Sequence, residues 1–135
     1  MKVANKNKKI MVDMSATIIH HGHIRLLKKA SKFGTVIIAL TTDSDIKKYK
    51  GLNTELKFNY RKEILLSIKY VDKVISSPWL IKENFLKKHK IDYLVHGSDN
   101  SNLVKKNKLK IFPKTKYISS NIIRKRAKKN ISNII

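Results

Sequence analysis

Apolar and polar positions along this chain divide it into two kinds of segment. Short apolar runs bounded by polar residues predict β-strands, whereas longer segments with apolar residues three or four positions apart predict helices. The predicted strands are residues 8–14, 35–40, 71–75, 91–96 and 110–112. The predicted helices are residues 21–32, 43–50, 58–70 and 80–89, and a last helix that Ser119 or Ser120 caps and that runs to about Lys129.

The regular alternation of strands and helices predicts an α/β fold, with helices on both faces of a mostly parallel sheet of about five strands. The run from Thr35 to Leu40 is almost continuously apolar, which is typical of a strand covered on both faces. We expect Gly34 to end the first helix. The buried stripe of the third helix is predicted to consist of Tyr60, Ile64, Ile68 and Val71.

The length and composition predict one domain over residues 1–135, with flexible ends at 1–7 and 130–135. Hydrophobic residues make up 41% of the chain, which is a globular composition. We find no apolar run long enough for a membrane span and no secretory signal, and cysteine is absent. These features together predict a cytoplasmic protein.

The net charge of +22 favours polyanionic ligands. Of the 31 basic residues, however, only Arg25, Arg61, Arg124 and Arg126 are arginines, and the lysines are spread along the whole chain. Surfaces dedicated to nucleic acids rely on arginine for bidentate contacts. We therefore interpret the charge mainly as a compositional drift toward lysine, which also attracts nucleotides and phosphorylated substrates.

The segment His20-His21-Gly22-His23 follows the first predicted strand and begins the first helix. A helix N-terminus offers free N–H groups and a positive partial charge, both of which favour phosphate. Gly22 would let a phosphate approach the backbone closely, and His20 and His23 could donate to the charge that develops on a transferring phosphoryl group. Helix-capping histidines or a metal site are the alternatives, but three histidines around one glycine favour phosphate.

Three further loops follow predicted strands, and ligands of such sheets bind beyond the carboxyl ends of the strands. The lysines between residues 47 and 50 either reach nucleotide phosphates or form a solvated face. Asp99, in the segment 96–100, either binds a base amine, a ribose hydroxyl or a metal, or forms a plain Asx turn. Ser119 and Ser120 either cradle a second phosphate or simply cap the last helix.

The first histidine segment, together with the residues 24–30 that follow it, resembles the HxGH segment of the glycerol-3-phosphate cytidylyltransferase family. The segment 14–23 is also similar to cytidylyltransferases of phosphonate and surface-polysaccharide pathways. The resemblance covers about residues 8 to 126. It continues through Thr41-Thr42-Asp43, Tyr60-Arg61-Lys62, Tyr70-Val71-Asp72-Lys73-Val74-Ile75, Gly97-Ser98-Asp99 and Ile118-Ser119-Ser120.

This resemblance implies a Rossmann-like, doubly wound fold and transfer of CMP from CTP to a small phosphorylated or phosphonate acceptor such as glycerol 3-phosphate. It implies Mg²⁺ as the usual metal and a homodimer as the assembly. His20 and His23 would act on the α-phosphate and the leaving pyrophosphate. The implied nucleotide-binding residues are Ser15, Gly22, Asp99, Ser119 and Ser120. The implied residues for the triphosphate or the acceptor phosphate are Lys48 or Lys50, Arg61, Lys69 and Lys114.

The chain also departs from the family pattern. The family's Gly-Thr-Phe-Asp turn is Met14-Ser15-Ala16-Thr17 here, so its acidic residue is lost. The family's second substrate arginine is Lys69, and the arginine of its Arg-Thr-Glu-Gly run is Lys114, which keeps the charge but not the bidentate geometry. The resemblance therefore supports nucleotidyl transfer more firmly than it supports glycerol 3-phosphate as the acceptor.

Two rival functions remain open at this point. An adenylyltransferase that uses ATP would share the HxGH and serine elements, because these bind phosphates and not bases. A basic nucleic-acid-binding module would explain the charge, but it predicts clustered arginines and exposed aromatic residues. Aromatic residues are only 7% of this chain and lie mostly in apolar segments.

Overall fold

The computed structural model describes residues 7–97 and 102–134 of the chain. Its strands are β1 (Lys9–Met14), β2 (Thr35–Thr41), β3 (Lys73–Ser77), β4 (Tyr93–His96) and β5 (Leu109–Ile111). Its α-helices are α1 (His21–Ser31), α2 (Asp43–Lys50), α3 (Phe58–Leu66), α4 (Glu83–Lys88) and α5 (Ser120–Ile134). A single 3₁₀ turn, Lys106–Lys108, precedes β5. Within these two ranges no helix is long and apolar enough to cross a membrane.

The five strands form one sheet in the order β3-β2-β1-β4-β5, and every neighbouring pair is parallel. This confirms the predicted α/β fold with about five strands. Side chains of β1 alternate between the two faces, because successive residues of a strand point in opposite directions. Ile10 and Val12 belong to one buried cluster, and Met11 belongs to the other.

Helices cover both faces of this sheet. Leu27 of α1 and Leu65 of α3 pack in the cluster that contains Ile10 and Val12. Leu86 of α4 packs in the opposite cluster. The two central strands are therefore enclosed, which explains why the sequence of β2 is almost continuously apolar.

The buried face of α3 differs from the predicted one. Tyr60 and Ile64 are 59% and 38% exposed, whereas Arg61 and Leu65 are fully buried. The helix also ends at Leu66 and not at residue 70. Hydropathy alone places an arginine on the surface of a helix. Here four hydrogen bonds hold Arg61 inside the protein, so the side of α3 that carries it faces the core.

Two predictions about helix ends were also wrong. The first helix ends at Ser31 and its C-cap, Lys32, keeps right-handed helical angles. Gly34 is therefore not the left-handed cap that the sequence predicted, and the glycine with that role is Gly51, which follows α2 with φ of 67°. The last helix continues to Ile134, past the predicted end at Lys129.

Candidate active site

The loops that follow β1 to β4 emerge at one edge of the sheet, because the strands are parallel. The loop after β1, residues 15–20, leads into α1, and the loop after β2 is only Thr42 before α2 begins. Ligands of open parallel sheets bind at this carboxyl edge. The predicted site residues can therefore be judged by whether they reach it.

His20 and His23 cap the N-terminus of α1 with their side chains. The backbone N–H of Gly22 donates to His20 Nδ1 at 3.1 Å, and the backbone N–H of His20 donates to His23 Nδ1 at 3.1 Å. The two imidazole rings lie 3.9 Å apart between centroids. Because each Nδ1 accepts a hydrogen bond, each neutral ring carries its proton on Nε2, and that N–H is the donor that each ring can offer to a ligand.

The surroundings keep both rings in the neutral form. Burial, and after it the neighbouring charges of His20 and Lys114, lower the pKa of His23 to about 3. Burial and the nearby His21 also lower the pKa of His20. The helix-capping role named as an alternative is thus real, and it leaves the Nε2–H of each neutral ring as the donor that is available.

Gly22 is required by the packing of this turn. A Cβ at this position would lie 2.8 Å from His20 Cε1 and 3.2 Å from Ile118 Cγ2. The second contact shows that the segment before α5 packs directly on the start of α1. The N-termini of these two helices are therefore neighbours, and each brings the positive end of its dipole to the same region.

The two serines at the start of α5 have separate structural partners. The backbone N–H of Ile122 donates to Ser119 Oγ at 3.1 Å, so Ser119 caps the helix. Ser120 Oγ donates to the carbonyl of Ile18 at 3.0 Å and accepts from its N–H at 3.3 Å. These bonds dock α5 on the loop after β1, and the role of Ser119 and Ser120 as phosphate contacts stays a prediction.

Ser15 and Lys50 meet at the same edge. Lys50 Nζ donates to Ser15 Oγ at 3.3 Å, and Ser15 Oγ donates to Thr41 Oγ1 at 3.4 Å. Lys48 instead lies over the ring of Tyr49, 5.1 Å from its centroid. Of the two lysines that the resemblance left open, the structure thus brings Lys50 to Ser15.

Arg61 lies behind this pair and not on the surface. Its side chain is fully buried, and it donates to the backbone carbonyls of Ser15 at 2.6 Å and Thr41 at 3.1 Å. It also donates to the carbonyl of Leu56 at 3.0 Å and to Asp43 Oδ1 at 2.6 Å. Arg61 could therefore bind an acceptor substrate only if some of these hydrogen bonds were broken.

The remaining predicted residues differ in position. Lys114 lies close enough to His23 to contribute to the lowered pKa of its imidazole. Lys69 lies between α3 and β3, near Asp72, whose N–H donates to the carbonyl of Val36 at the start of β2. Lys69 is therefore at the opposite edge of the sheet, and the structure does not bring it to the site. Asp99 lies outside the described residues.

A cavity of about 640 Å³ beside the site was not predicted. It lies after β3 and before α4, and the stacked rings of Tyr49 and Trp79, 4.7 Å apart, form part of its wall. Lys50 Nζ lies 5.9 Å from the centroid of the ring of Trp79, which is one of the lining residues. A tryptophan directly after a strand's carboxyl end is a signal that could have indicated it.

A second polar cluster that sequence reasoning missed lies at the ends of β1 and β4. One carboxylate oxygen of Asp13 contacts His96 Nδ1, and the other accepts from Asn102 Nδ2 at 2.8 Å. Asn102 Oδ1 in turn accepts from the N–H of Ile81 at 2.7 Å. These bonds hold the chain on both sides of residues 98–101 to the sheet.

The family pattern has an aspartate at the position of Thr17, and the nearby carboxylate in this chain is that of Glu55, held by Arg124. Arg124 of α5 donates to both carboxylate oxygens of Glu55, at 2.6 and 2.7 Å, and to Thr17 Oγ1 at 2.6 Å. Hydrogen bonding by Arg124 lowers the pKa of Glu55. A carboxylate thus stands near the position where the family pattern has its aspartate.

The described residues offer no ready metal cage. Ranges 7–97 and 102–134 contain no group of three or more histidine, aspartate or glutamate side chains that could hold an ion. Among the described carboxylates at this edge, Asp43 and Asp13 already accept several hydrogen bonds each.

Comparison with known proteins agrees with this geometry. The family model described as cytidylyltransferase-like matches residues 15–126. The chain is 35% identical over 94 residues to the glycerol-3-phosphate cytidylyltransferase of Staphylococcus aureus, covering 68% of this chain and 70% of that protein. It is 31% identical over 106 residues to an ethanolamine-phosphate cytidylyltransferase of Arabidopsis thaliana, covering 73% of this chain but only 25% of that protein.

A solved structure shares the fold. It is described as the lipopolysaccharide core biosynthesis protein from Thermoplasma volcanium, and it superimposes with a TM-score of 0.67 over 80% of this chain and 98% of its own. The sequence identity is 21%, so this likeness concerns the fold alone. It agrees with the Rossmann-like architecture that the resemblance implied.

Proposed function

Because the chain belongs to the cytidylyltransferase-like family, we propose that it transfers CMP from CTP to a small phosphorylated or phosphonate acceptor. An oxygen of the acceptor attacks the α-phosphorus of CTP, a new P–O bond forms, and the bond to the β-phosphate oxygen breaks. Pyrophosphate leaves with the electron pair of that bond. No protein nucleophile takes part, so the chain acts by positioning and by stabilising charge.

The observation that carries this proposal is the pair of neutral imidazoles at the start of α1. His20 and His23 each use Nδ1 to cap the helix, which leaves Nε2–H as the outward donor. Donors that are already oriented need no reorganisation when negative charge develops on the α-phosphate and on the leaving group. The lowered pKa values of both rings keep the imidazoles neutral at neutral pH, so each Nδ1 stays an acceptor and each Nε2 keeps the N–H.

Lys50 and the helix N-termini supply the positive potential. Lys50 Nζ, beside Ser15 Oγ, is placed to hold a triphosphate oxygen, and Lys114 adds charge near His23. The N-termini of α1 and α5 contribute the positive ends of their helix dipoles. The Mg²⁺ ion that accompanies CTP would reach the site bound to the phosphates, which agrees with the lack of a metal cage in the described ranges.

The acceptor occupies the cavity beside Trp79 in this proposal. Trp79 lines the cavity and lies 5.9 Å from Lys50 Nζ, so an acceptor lying there with its phosphate toward Lys50 would be next to the triphosphate. The relatives are named for glycerol 3-phosphate, choline phosphate and ethanolamine phosphate, and these define the acceptor class to be tested. A homodimer is also proposed, and light scattering of the purified chain tests it.

Pyrophosphate release with CTP or ATP, in the presence of each candidate acceptor and of aminoethylphosphonate, tests the function. We expect release that requires both CTP and one acceptor. Pyrophosphate release that occurs with ATP but not with CTP would indicate an adenylyltransferase. Sequence-dependent RNA binding that persists at about 0.2 M salt, with no pyrophosphate release, would indicate a nucleic-acid-binding module.

The roles of the two histidines are tested with variants that preserve the helix cap. His20→Asn and His23→Gln retain a side-chain acceptor for the backbone N–H groups, and they remove the imidazole donor. We expect each to lower turnover at least about 100-fold, the usual effect of losing one charge-stabilising donor. His21→Ala, at an exposed position in the same turn, is the matched control. Near-normal turnover in either capped variant would contradict the proposal.

A further inference from the structure

We propose that Arg61 is a positioning residue that sets, from inside the protein, the placement of Ser15 relative to Lys50. The inference rests on the proposed function, in which Ser15 and Lys50 form a phosphate-binding pair. It assigns Arg61 a role other than the direct contact with the acceptor that the family resemblance implies.

The hydrogen bonds of Arg61 join three segments of the site. Four of its five N–H groups donate, to the carbonyls of Ser15, Thr41 and Leu56 and to the carboxylate of Asp43. Ser15 follows β1, and Thr41 is the last residue of β2. Because the guanidinium is planar and rigid, these contacts fix the two strand ends relative to each other.

Asp43 extends this connection to Lys50. It is the first residue of α2, and Lys50 is the last. Besides Arg61, its carboxylate accepts from Thr54 Oγ1 at 3.0 Å and from the N–H of Phe58 at 3.0 Å. Burial raises the pKa of this carboxyl, but the hydrogen bonds outweigh burial and lower it. The pair therefore holds α2 by its N-terminus, and α2 carries Lys50 to Ser15.

The backbone next to Ser15 needs this restraint. Ala16 has φ of 44°, in the left-handed region that a residue with a Cβ rarely adopts, and it is buried. Such strain persists only when the surroundings determine the conformation. Arg61 holds the loop on one side through the carbonyl of Ser15, and Ser120 holds the other side through both backbone groups of Ile18.

Arg61→Lys tests the proposal, because lysine keeps the charge but cannot span the four acceptors. We expect kcat to fall by about 100-fold, the effect of displacing reacting groups by about 1 Å. The KM for CTP should rise because Lys50 shifts, while the KM for the acceptor stays near the wild-type value. An arginine that bound the acceptor directly would instead raise the KM for the acceptor. That outcome, or wild-type kinetics, would overturn the proposal. Glu63→Ala, at an exposed position of α3, is the control.

A second readout does not depend on turnover. Trp79 is the only tryptophan of the chain and lies 5.9 Å from Lys50 Nζ, so its fluorescence without ligands reports whether Lys50 keeps its place. We expect Arg61→Lys to shift the emission toward that of Lys50→Ala. An unchanged emission spectrum of Arg61→Lys would overturn the role of Arg61. Failure of the wild-type chain to release pyrophosphate would refute the proposed function instead, and the fluorescence test would still apply.

Asp43→Asn covers the case in which Arg61→Lys does not fold. It preserves the size of the side chain and weakens only the charge of the pair. We expect the same pattern as for Arg61→Lys: a lower kcat, a higher KM for CTP, little change in the KM for the acceptor and a shifted Trp79 emission. Wild-type values of both measurements in folded Asp43→Asn would overturn the role of the pair.

Discussion

Acidification should destabilise this protein through His23. The pKa of this imidazole is about 3 in the folded chain and 6.5 without its surroundings, so the unfolded chain takes up the proton first as the pH falls. The contribution of His23 to stability is therefore complete above pH 6.5 and declines as the pH falls toward 3. The decline is about 1.4 kcal/mol for each pH unit, or about 2 kcal/mol between pH 7 and pH 5.

His23→Gln isolates this effect, because glutamine still accepts from the N–H of His20 but does not titrate. Urea unfolding, followed by circular dichroism at several pH values between 5 and 8, gives the free energy of unfolding of each protein. We expect the wild-type value to fall more steeply below pH 6.5, by about 2 kcal/mol at pH 5. Parallel curves for the two proteins would refute a buried, neutral His23. His21→Gln controls for removal of an imidazole from this turn.

Three further predictions concern other features of the site and its frame. Gly22→Ala should lower turnover about 100-fold and also lower the melting temperature, since its Cβ displaces the His20 ring that caps α1; normal turnover would contradict the packing argument. Gly51→Ala should reduce the free energy of unfolding by about 1 kcal/mol, because its left-handed φ of 67° is the only obstacle, with no atom within 4 Å of the added Cβ. Lys50→Ala should raise the KM for CTP more than Lys48→Ala does, and equal effects in steady-state kinetics would contradict the assignment of Lys50.

The fold was predictable because its signals are local. Each strand is a short apolar run bounded by polar residues, so the order of elements could be read without knowing any long-range contact. The face of α3 was not predictable in this way. Hydropathy places Arg61 on the surface, whereas its burial depends on four acceptors that come from other parts of the chain.

The same distinction applies to the site. His20, Gly22 and His23 lie within one turn, so the sequence could indicate them together. The stacking of Tyr49 on Trp79 and the pairing of Glu55 with Arg124 join residues from separate elements, and no periodic pattern connects them. The sequence also could not distinguish Lys50 from Lys48. Only the orientation of the last turn of α2 shows that Lys50, and not Lys48, contacts Ser15.

The few arginines of this lysine-rich chain show where geometry matters more than charge. Arg61 donates to four acceptors in one plane, and Arg124 joins Glu55, Thr17 and Asn121 across three segments. A lysine ammonium offers a compact charge and could replace neither set of contacts. In the proposed site, Lys50 and Lys114 need to supply only a point charge to a phosphate. That proposal therefore predicts that the drift toward lysine is tolerated only while the two guanidinium groups keep the loop between β1 and α1 in its strained form.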